Sequence, residues 1–347
     1  MGKKFIPKLC TICSLATVFS VTPVLFSCGN PEPTPPQPEH EHVLGGYKID
    51  EASHKLYGIC SDCGEQFELS DEQFADLEGA IFVKQNGNYE LSTKSLDEIV
   101  AEAYGSSVDL YIVNGTYEMA TWSLAEHLVT VNMHGILNYA DSMPKAIFRC
   151  VNIAGATPGI PAYYQWHGMT LNVDHVELLG LEQNLSQYGE SSWQNLGIQP
   201  ATLNATDCYL KGCHSTHATG KATFTNCTFD SRGFKDASGS DLAEYGLYTW
   251  NGDTEVYNSI FIGDGKTLKI YTDRNIMHDD QYFVISSCTF IKGGNLNNKA
   301  AVEIDSSQIQ GDDLEYHITL QHSTLNGVVD LWNDKGRKHI FDPDPPS

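Results

Sequence analysis

The stretch Phe224-Thr-Asn-Cys-Thr-Phe229 decides the fold of this chain, because the same six-residue phrase recurs along the sequence. Each copy contains an apolar residue, two polar residues, a small residue, any residue and a second apolar residue. The other clean copies begin at Val256, Ile285, Ile304 and Leu320, and weaker copies centre on Val151, Val176 and Cys208. A phrase repeated in this way indicates structural units that stack on one another.

The third residue of the phrase explains how the chain can bury its apolar positions. In a straight strand, Phe224, Cys227 and Phe229 could not all point to one side, because side chains alternate with a period of two. A bend near the third residue removes this conflict. Asn, Asp, Ser or His occupies that position in most copies, and Asn and Asp tolerate a left-handed bend better than other non-glycine residues. The sequence therefore predicts an all-β solenoid over residues 106–335.

A helix is predicted immediately before the repeats. Apolar residues recur at helical spacing over residues 96–104, Ser95 is a suitable N-cap, and Gly105 ends the pattern. A strand ending in Gly115-Thr-Tyr117 follows. This order resembles the start of right-handed parallel β-helix proteins with the pectate-lyase-like fold. The resemblance implies that residues 71–105 form a cap region whose amphipathic helix covers the open end of the coil.

The first 27 residues have the composition of an export signal. Three lysines precede a mostly apolar stretch, and no acidic residue occurs before Cys28. The end of this segment, Leu25-Phe-Ser-Cys28, resembles the bacterial lipoprotein box. The resemblance implies cleavage before Cys28 and a lipid on its thiol, which would anchor the exported protein to a membrane at the bacterial cell surface. An ordinary secretory signal or an uncleaved anchor is the alternative.

Residues 28–41 and 336–347 are predicted to flank the folded part. The first segment contains five prolines between Pro31 and Pro38, a composition that favours an extended linker. The second segment is predicted to be an acidic, proline-rich tail, because its last six residues contain two aspartates and three prolines.

The formal net charge of the chain is −23, which disfavours binding to nucleic acid. This charge suits calcium, neutral glycans or a basic partner, and we expect a monomer.

Residues 42–70 are predicted to form a small metal-stabilised module. Two histidines precede Cys60-Ser-Asp-Cys63-Gly64, and imidazoles with a CxxC pair can provide four tetrahedral zinc ligands. This pattern resembles small zinc-ribbon-like His/Cys modules of bacterial surface proteins. We assign His42, His54, Cys60 and Cys63 to a structural zinc site, with His40 as the alternative first ligand. A disulfide between the two cysteines is the competing interpretation.

The other cysteines of the mature chain imply no complete disulfide framework, because their number is odd. Cys208, Cys227 and Cys288 occupy the position that Ser fills in other copies of the phrase. We therefore expect buried, unreactive thiols at the turn of each coil.

Enzymes that share the β-helix fold offer a test for catalysis. Gly115-Thr-Tyr-Glu118 matches one phrase of pectin methylesterases, but the remaining phrases of that family are missing. Polygalacturonase-like hydrolases need carboxylates that flank a water, and only Asp279-Asp280 resembles part of their motif set. Polysaccharide lyases need a base, often Arg or Lys, with calcium held by acidic residues. The sequence therefore matches no specific enzyme family.

Two long loops offer the remaining candidates for chemistry. They lie near residues 230–245 and 273–280, and they could form the walls of a groove on one face of the coil. The candidate catalytic residues are Arg232, Asp236, Asp273, Arg274, Asp279 and Asp280, and the candidate binding residues are Trp250 and Asp253. We predict non-catalytic binding of a glycan or a surface protein through these loops. A carbohydrate-active lyase or hydrolase with a diverged site, to which calcium could belong, is the alternative.

Overall fold

The structure is a computed structural model that describes the following residues: 40–119, 128–137, 146–150, 169–179, 202–212, 214–217, 221–232, 246–250, 253–263, 267–271, 280–292, 302–305, 316–326, 332–334 and 339–343. All of its helices and strands belong to the compact unit His42–Ser347. Within the described residues, no helix has the length and apolar character needed to span a membrane.

Strands dominate the chain. In order they are β1 (Leu44–Asp50), β2 (Lys55–Cys60), β3 (Gln66–Glu68), β4 (Ile81–Gln85), β5 (Asn88–Leu91), β6 (Ser107–Ile112), β7 (Gly115–Met119), β8 (Val129–Gly135), β9 (Ala146–Cys150), β10 (Met169–Asp174), β11 (Glu177–Leu179), β12 (Thr202–Thr206), β13 (Tyr209–Lys211), β14 (His214–His217), β15 (Lys221–Thr225), β16 (Thr228–Asp230), β17 (Leu247–Trp250), β18 (Asp253–Tyr257), β19 (Ile260–Gly263), β20 (Leu268–Tyr271), β21 (Gln281–Ser286), β22 (Thr289–Lys292), β23 (Val302–Asp305), β24 (Tyr316–Gln321), β25 (Thr324–Asn326), β26 (Trp332–Asp334) and β27 (His339–Pro343). Within the described residues the helices are α1 (Asp71–Ala75) and α2 (Leu96–Glu102).

Three long sheets are built almost entirely from parallel strands. The largest has the order β27-β24-β21-β18-β15-β12-β10-β8-β6-β4-β5, and only the β4–β5 and β4–β6 pairings are antiparallel. The second has the order β25-β22-β19-β16-β13-β11-β9-β7, and the third has the order β14-β17-β20-β23-β26. Successive passes of the chain add neighbouring strands to these sheets, an arrangement compatible with a β-helix-like fold.

The bends predicted from the repeated phrase are present. The residues in the third position of the described copies, from His175 to His322, have φ values between 50° and 56°. The full set is His175, Asp207, Asn226, Asn258, Ser287 and His322. Each bend joins a strand of the largest sheet to a strand of the second sheet, as Asn226 joins β15 to β16.

The copy beginning at Ile304 differs from the prediction. Ile304 lies in β23, which pairs with β20 and β26 in the third sheet, whereas the other clean copies begin in the largest sheet. A short apolar–polar–apolar pattern fits any strand with one buried face, so the phrase alone could not assign this copy to a sheet. The weaker copy at Val151 lies outside the described residues.

The apolar residues of the phrase form one core between the sheets. Phe229 stacks on Phe261 with ring centroids 4.5 Å apart, and Phe261 stacks on Phe290 at 4.9 Å. All three rings are fully buried. Parallel register explains the stack, because β16, β19 and β22 place Phe229, Phe261 and Phe290 directly side by side.

The three cysteine side chains in the small position of the phrase are buried as predicted, at 1–3% exposure for Cys208, Cys227 and Cys288. Each thiol lies near backbone carbonyls, as Cys227 Sγ does 3.4 Å from the Thr225 oxygen. Burial raises the pKa of Cys288 to about 11 and raises that of Cys208 well above its ordinary value. These thiols are free and poorly reactive at neutral pH.

The predicted helix at the start of the repeats is confirmed as α2. Ser95 is its N-cap, and a capping box links the Ser95 and Glu98 side chains to each other's backbone N–H groups. Leu96, Ile99 and Val100 are buried in the same cluster as the core residues of the first strands. The helix therefore packs against the core residues of the first strands.

The small antiparallel sheet β1-β2-β3 shares a second apolar cluster with the largest sheet. Ile49 and Leu56 from the small sheet are buried together with Phe82, Tyr111 and Ile136. A hydrogen bond of 2.9 Å from the Leu137 N–H to the His54 oxygen adds a backbone link. The β1–β2 turn is thus held against the outside of the first parallel strands.

Candidate functional site

A group of potential metal ligands lies at the open end of the β1–β2 hairpin. The ligand atoms of His40, His42, Cys60 and Cys63 all lie within 4.8 Å of one another. The hairpin register brings them together, because Leu44 at the start of β1 pairs with Cys60 at the end of β2. Gly64 follows with φ of +74°, and its N–H donates to the Cys60 oxygen at 2.9 Å.

The residue types and distances of this group fit a tetrahedral ion. Cys63 Sγ lies 3.8 Å from His42 Nδ1. A zinc ion with ordinary bond lengths would hold such a sulfur and nitrogen about 3.6 Å apart. The His42 ring also stacks on Phe67, with centroids 5.0 Å apart and an interplanar angle of 6°. This stacking limits the orientations of the imidazole, so the group could hold a metal with little rearrangement.

His54 is not part of this group, contrary to the sequence-based assignment. It lies at the tip of the β1–β2 hairpin, with φ of +54°. Six residues of extended strand separate the tip from Cys60, a distance of roughly 20 Å. Sequence spacing could not reveal that the hairpin turns between the two histidines. His40, the alternative ligand, is the residue that lies with His42 and the cysteines.

His54 belongs instead to a cluster of histidines around Asp174, which we call the His/Asp cluster. His134 Nδ1 lies 2.6 Å from Asp174 Oδ2, and His175 Nδ1 lies 2.9 Å from Oδ1. His54 Nδ1 lies 3.5 Å from the same Oδ1 atom. The His54 and His175 rings are in contact, with centroids 4.0 Å apart. One carboxylate therefore faces three imidazoles.

The charges in the His/Asp cluster follow from burial and hydrogen bonding. Burial alone would raise the pKa of Asp174, but hydrogen bonds from His134 and His175 outweigh it and lower the value to about 2. Burial lowers the pKa of His54, and the adjacent His175 lowers it further. Asp174 is therefore ionised at neutral pH, while His54 disfavours a second proton.

A cavity of about 370 Å³ adjoins the cluster. Its lining is mostly polar and consists of Glu51, His54, Lys84, Asp109, Tyr111, Asn132, His134 and Asp174. Glu51 accepts hydrogen bonds from Lys84 and Tyr89, which links the β1–β2 turn to the β4–β5 hairpin. Burial is the main cause that raises the pKa of Tyr111 to about 12, so its hydroxyl stays protonated.

An amide ladder runs along the outward face of the largest sheet beside this cavity. Asn204 Nδ2 donates to Asn172 Oδ1 at 2.7 Å, and Asn172 Nδ2 donates to Asn132 Oδ1 at 2.7 Å. Asn132 in turn donates to the Asp109 carboxylate. The parallel register aligns these four positions on neighbouring strands.

The structure describes two of the six candidate catalytic residues, Arg232 and Asp280. Arg232 forms a two-point pair with Asp230, with Nε–Oδ1 at 2.8 Å and Nη2–Oδ2 at 2.6 Å. The Tyr209 hydroxyl donates to the same carboxylate at 2.6 Å. Asp280 is described, but Asp236, Asp273, Arg274 and Asp279 lie outside the described residues, as does Cys28. Arg232 therefore has a structural partner, and the groove proposed between the two loops is not tested.

The candidate binding residues lie in neighbouring elements. Trp250 ends β17, and Asp253 begins β18, where its Oδ1 accepts a hydrogen bond of 2.9 Å from the Tyr282 N–H. Tyr282 is 48% exposed and stacks on His317, with centroids 4.6 Å apart and an interplanar angle of 8°. This stacked pair, of which Tyr282 is the exposed member, was not identified from the sequence. Parallel pairing of Tyr282 with His317 explains it.

The His/Asp cluster was also missed. Its signal is the outward position shared by consecutive strands: Asp174 pairs directly with His134 in the parallel register. The sequence alone does not show which residues of the two strands lie side by side, because it does not define where each strand begins. Comparisons with protein families, with curated proteins and with solved structures found no match for this chain.

Proposed function

We propose that this protein is an exported, lipid-anchored, right-handed parallel β-helix that binds a glycan without catalysis. The binding surface is the outward face of the largest sheet around Tyr282 and His317. Zinc holds the His/Cys group of the small sheet. A surface protein as the ligand, and a diverged lyase or hydrolase, are the alternatives that the experiments below separate.

The β-helix assignment is supported by the order of the strands. From β6 to β13, strands of the largest sheet and of the second sheet alternate along the chain. From β14 onward, a strand of the third sheet follows each strand of the second sheet before the chain returns to the largest sheet. The left-handed bends at the third position of successive copies of the phrase repeat the same corner. The right hand of the coil and its likeness to the pectate-lyase-like fold come from the sequence resemblance and from the strong general preference of parallel crossovers.

The lipid anchor is supported by the sequence alone. The segment before Cys28 has the character of an export signal, and residues 28–41 would separate the folded part from the membrane surface. A protein made with Cys28→Ser is expected to be released from membranes, whereas the parent chain partitions into detergent and carries a lipid mass on its first residue.

One observation carries the glycan proposal: the exposed Tyr282 ring, which stacks on the partly buried His317 ring. Tyrosine presents a flat apolar ring and a hydroxyl that can donate and accept hydrogen bonds, and it orders at small entropic cost. Asp253 and Glu255 lie one strand away and offer acceptors for sugar hydroxyls. A neutral sugar suits this surface better than a polyanion, because the chain is strongly acidic.

The engaged state of Arg232 supports binding over catalysis. Its guanidinium is held by Asp230, and hydrogen bonding to that carboxylate raises its pKa further above the ordinary value. A permanently protonated, paired guanidinium is a poor general base. Asp253 likewise uses one carboxylate oxygen to hold the Tyr282 backbone.

The zinc proposal rests on the chemistry of the His/Cys group. Two imidazoles and two thiolates fill all four positions of a tetrahedral zinc ion, which is the pattern of a structural site. Zinc content would be measured in the parent chain and in a Cys60→Ser/Cys63→Ser variant. We expect the variant to lose about one equivalent of zinc. Unchanged content, or a Cys60–Cys63 disulfide in protein isolated with its metal retained, would contradict the proposal.

The glycan proposal is tested on the chain from residue 28 onward carrying Cys28→Ser, applied to a glycan array with and without calcium. The Tyr282→Ala and His317→Ala variants are expected to bind the best glycan at least about 10-fold more weakly. The matched control is Leu91→Ala, which removes another exposed apolar side chain at the β5 end of the sheet.

Each outcome has a distinct meaning. Equal loss in the control, or unchanged binding by Tyr282→Ala, would contradict the placement of the surface. Every bound glycan is also checked for new reducing ends or unsaturated products, and either product would establish the enzymatic alternative. No bound glycan on the array would favour a surface protein as the ligand.

A further inference from the structure

We propose that His54, Asp174 and His175 form a second divalent-metal site, separate from the His/Cys group. The site would hold zinc or another ion that prefers imidazole nitrogen and carboxylate oxygen, such as nickel or copper. It would join the tip of the β1–β2 hairpin to the end of β10. This inference is independent of glycan binding.

The ligand atoms are already close to coordination geometry. The three residues each place a ligand atom within 4.8 Å of the others. His54 Nδ1 and Asp174 Oδ1 are 3.5 Å apart, and a tetrahedral zinc ion would hold a nitrogen and an oxygen about 3.4 Å apart. His175 Nδ1 is 2.9 Å from Asp174 Oδ1, so its ring would move outward by about half an ångström.

The state of His54 Nδ1 is the strongest sign of a cation. This atom is buried and has no hydrogen-bond partner among the described residues. It faces Oδ1 of the Asp174 carboxylate at 3.5 Å, which is longer than an ordinary hydrogen bond and close to the separation of two ligand atoms on one metal ion.

A metal ion satisfies this arrangement better than a proton. A doubly protonated His54 would be a charged group within a largely buried cluster, next to the His175 ring at 4.0 Å. A metal ion uses the lone pair directly. Binding would transfer the proton of His175 from Nδ1 to Nε2, where Asp207 Oδ2, now 3.9 Å away, can accept a hydrogen bond from it.

His134 positions the carboxylate ligand rather than adding a fourth. It binds Asp174 Oδ2 at 2.6 Å, which leaves Oδ1 directed at His54 and His175. Its own ring stacks on Tyr111, with centroids 4.8 Å apart, so its orientation is fixed. Three protein ligands leave a coordination position for water, and the adjoining cavity of about 370 Å³ has room for it.

The backbone at two of the ligands determines the variants that test the site. His54 and His175 have φ of 54° and 55°, so alanine would add strain unrelated to a metal. Asparagine tolerates this conformation. The variants are therefore His54→Asn, His175→Asn and Asp174→Asn. The matched control is His322→Asn, which makes the same change at the same bend position, with φ of 52°, in a later repeat.

Metal content is measured by mass spectrometry after zinc loading and desalting of the chain from residue 28 onward with Cys28→Ser. Each of the three variants is expected to hold about one equivalent of zinc less than the parent, and His322→Asn the same amount as the parent. Circular dichroism would confirm that each variant keeps its strand content. Unchanged zinc in all three variants would overturn the proposal.

Cobalt substitution separates the two sites even if a variant is unstable. In the Cys60→Ser/Cys63→Ser variant, we expect the remaining cobalt to lack thiolate charge-transfer bands, since its ligands are nitrogen and oxygen. In His54→Asn, the thiolate bands should persist at full intensity. A cysteine variant that binds no cobalt at this site, shown by identical content after a further Asp174→Asn change, would overturn the proposal.

Discussion

Replacement of Phe261 by alanine tests the stacked core directly. Its ring is fully buried and lies between Phe229 at 4.5 Å and Phe290 at 4.9 Å. Truncation of a buried phenylalanine ordinarily costs about 3–5 kcal/mol. Because two rings also lose a stacking partner, we expect a value in the upper half of this range, about 4–5 kcal/mol.

The adjacent residue provides a matched control for this change. Ile260 precedes Phe261 in β19, points to the other face of the sheet and is 38% exposed. Its replacement by alanine should cost less than about 1 kcal/mol, because little buried apolar surface is lost. Both free energies of unfolding would be measured by urea denaturation, with the slope compared to verify that the same cooperative unit unfolds.

Two results would refute the reasoning about the core. A loss below about 1.5 kcal/mol for Phe261→Ala would mean that the ring is not part of a close-packed stack. An equal or larger loss for Ile260→Ala would mean that the register of β19 is displaced by one residue, since a shift of one exchanges the two faces of a strand.

The remaining predictions concern the bends, the thiols and an ion pair. Asn226→Val should lower the free energy of unfolding by about 1–2 kcal/mol, while Asn226→Gly should be nearly neutral, because φ is 56° at this position; thermal unfolding of both variants checks this. When native protein is treated with a thiol reagent at pH 8, peptide mass mapping should find Cys208 and Cys288 unmodified, because burial raises the pKa of both thiols. Rapid modification of either cysteine would contradict its buried position. Asp230→Asn should cost about 1–2 kcal/mol at pH 7, a modest value because the Arg232 side chain is half exposed. Burial raises the pKa of Asp230, but hydrogen bonds from Arg232 and Tyr209 outweigh it, so the folded-state pKa lies below the ordinary 3.8. The stabilisation by the ionised pair is therefore present above about pH 4, and it is lost as the pH falls through the folded-state pKa. The urea midpoints of Asp230→Asn and the parent should therefore converge in acid, and a gap that stays constant would exclude the ionised pair as its cause.

The sequence predicted the corners of the fold because a corner is a local property. A residue such as Asn226 reports its own backbone conformation, and the apolar residues on either side report the buried face. The helix α2 was predicted for the same reason, since its cap and its buried residues lie within one short segment. These features need no knowledge of which strands are neighbours.

Features that depend on strand neighbours could not be predicted. The assignment of Ile304 to the third sheet and the stacking of Tyr282 on His317 both require the register between distant segments. The misplacement of His54 has the same origin, because its distance from Cys60 is set by a hairpin and not by sequence separation. The His/Asp cluster combines a hairpin tip with two neighbouring parallel strands, so no single segment contains its signal.

The amide ladder from Asn204 to Asp109 has a fixed direction. Each amide donates toward the amino-terminal strand, and Asn172 and Asn132 each accept from the amide on the following strand. The last acceptor is the Asp109 carboxylate, which cannot donate when ionised. The series therefore cannot reverse one member at a time: turning Asn172 alone would place donor against donor on one side and acceptor against acceptor on the other. The Asp109 carboxylate therefore determines the direction in which all three amides donate their hydrogen bonds. The amide dipoles on the first strands of the sheet consequently point in one direction. Their row ends at the Asp109 carboxylate, beside the cavity and the His/Asp cluster.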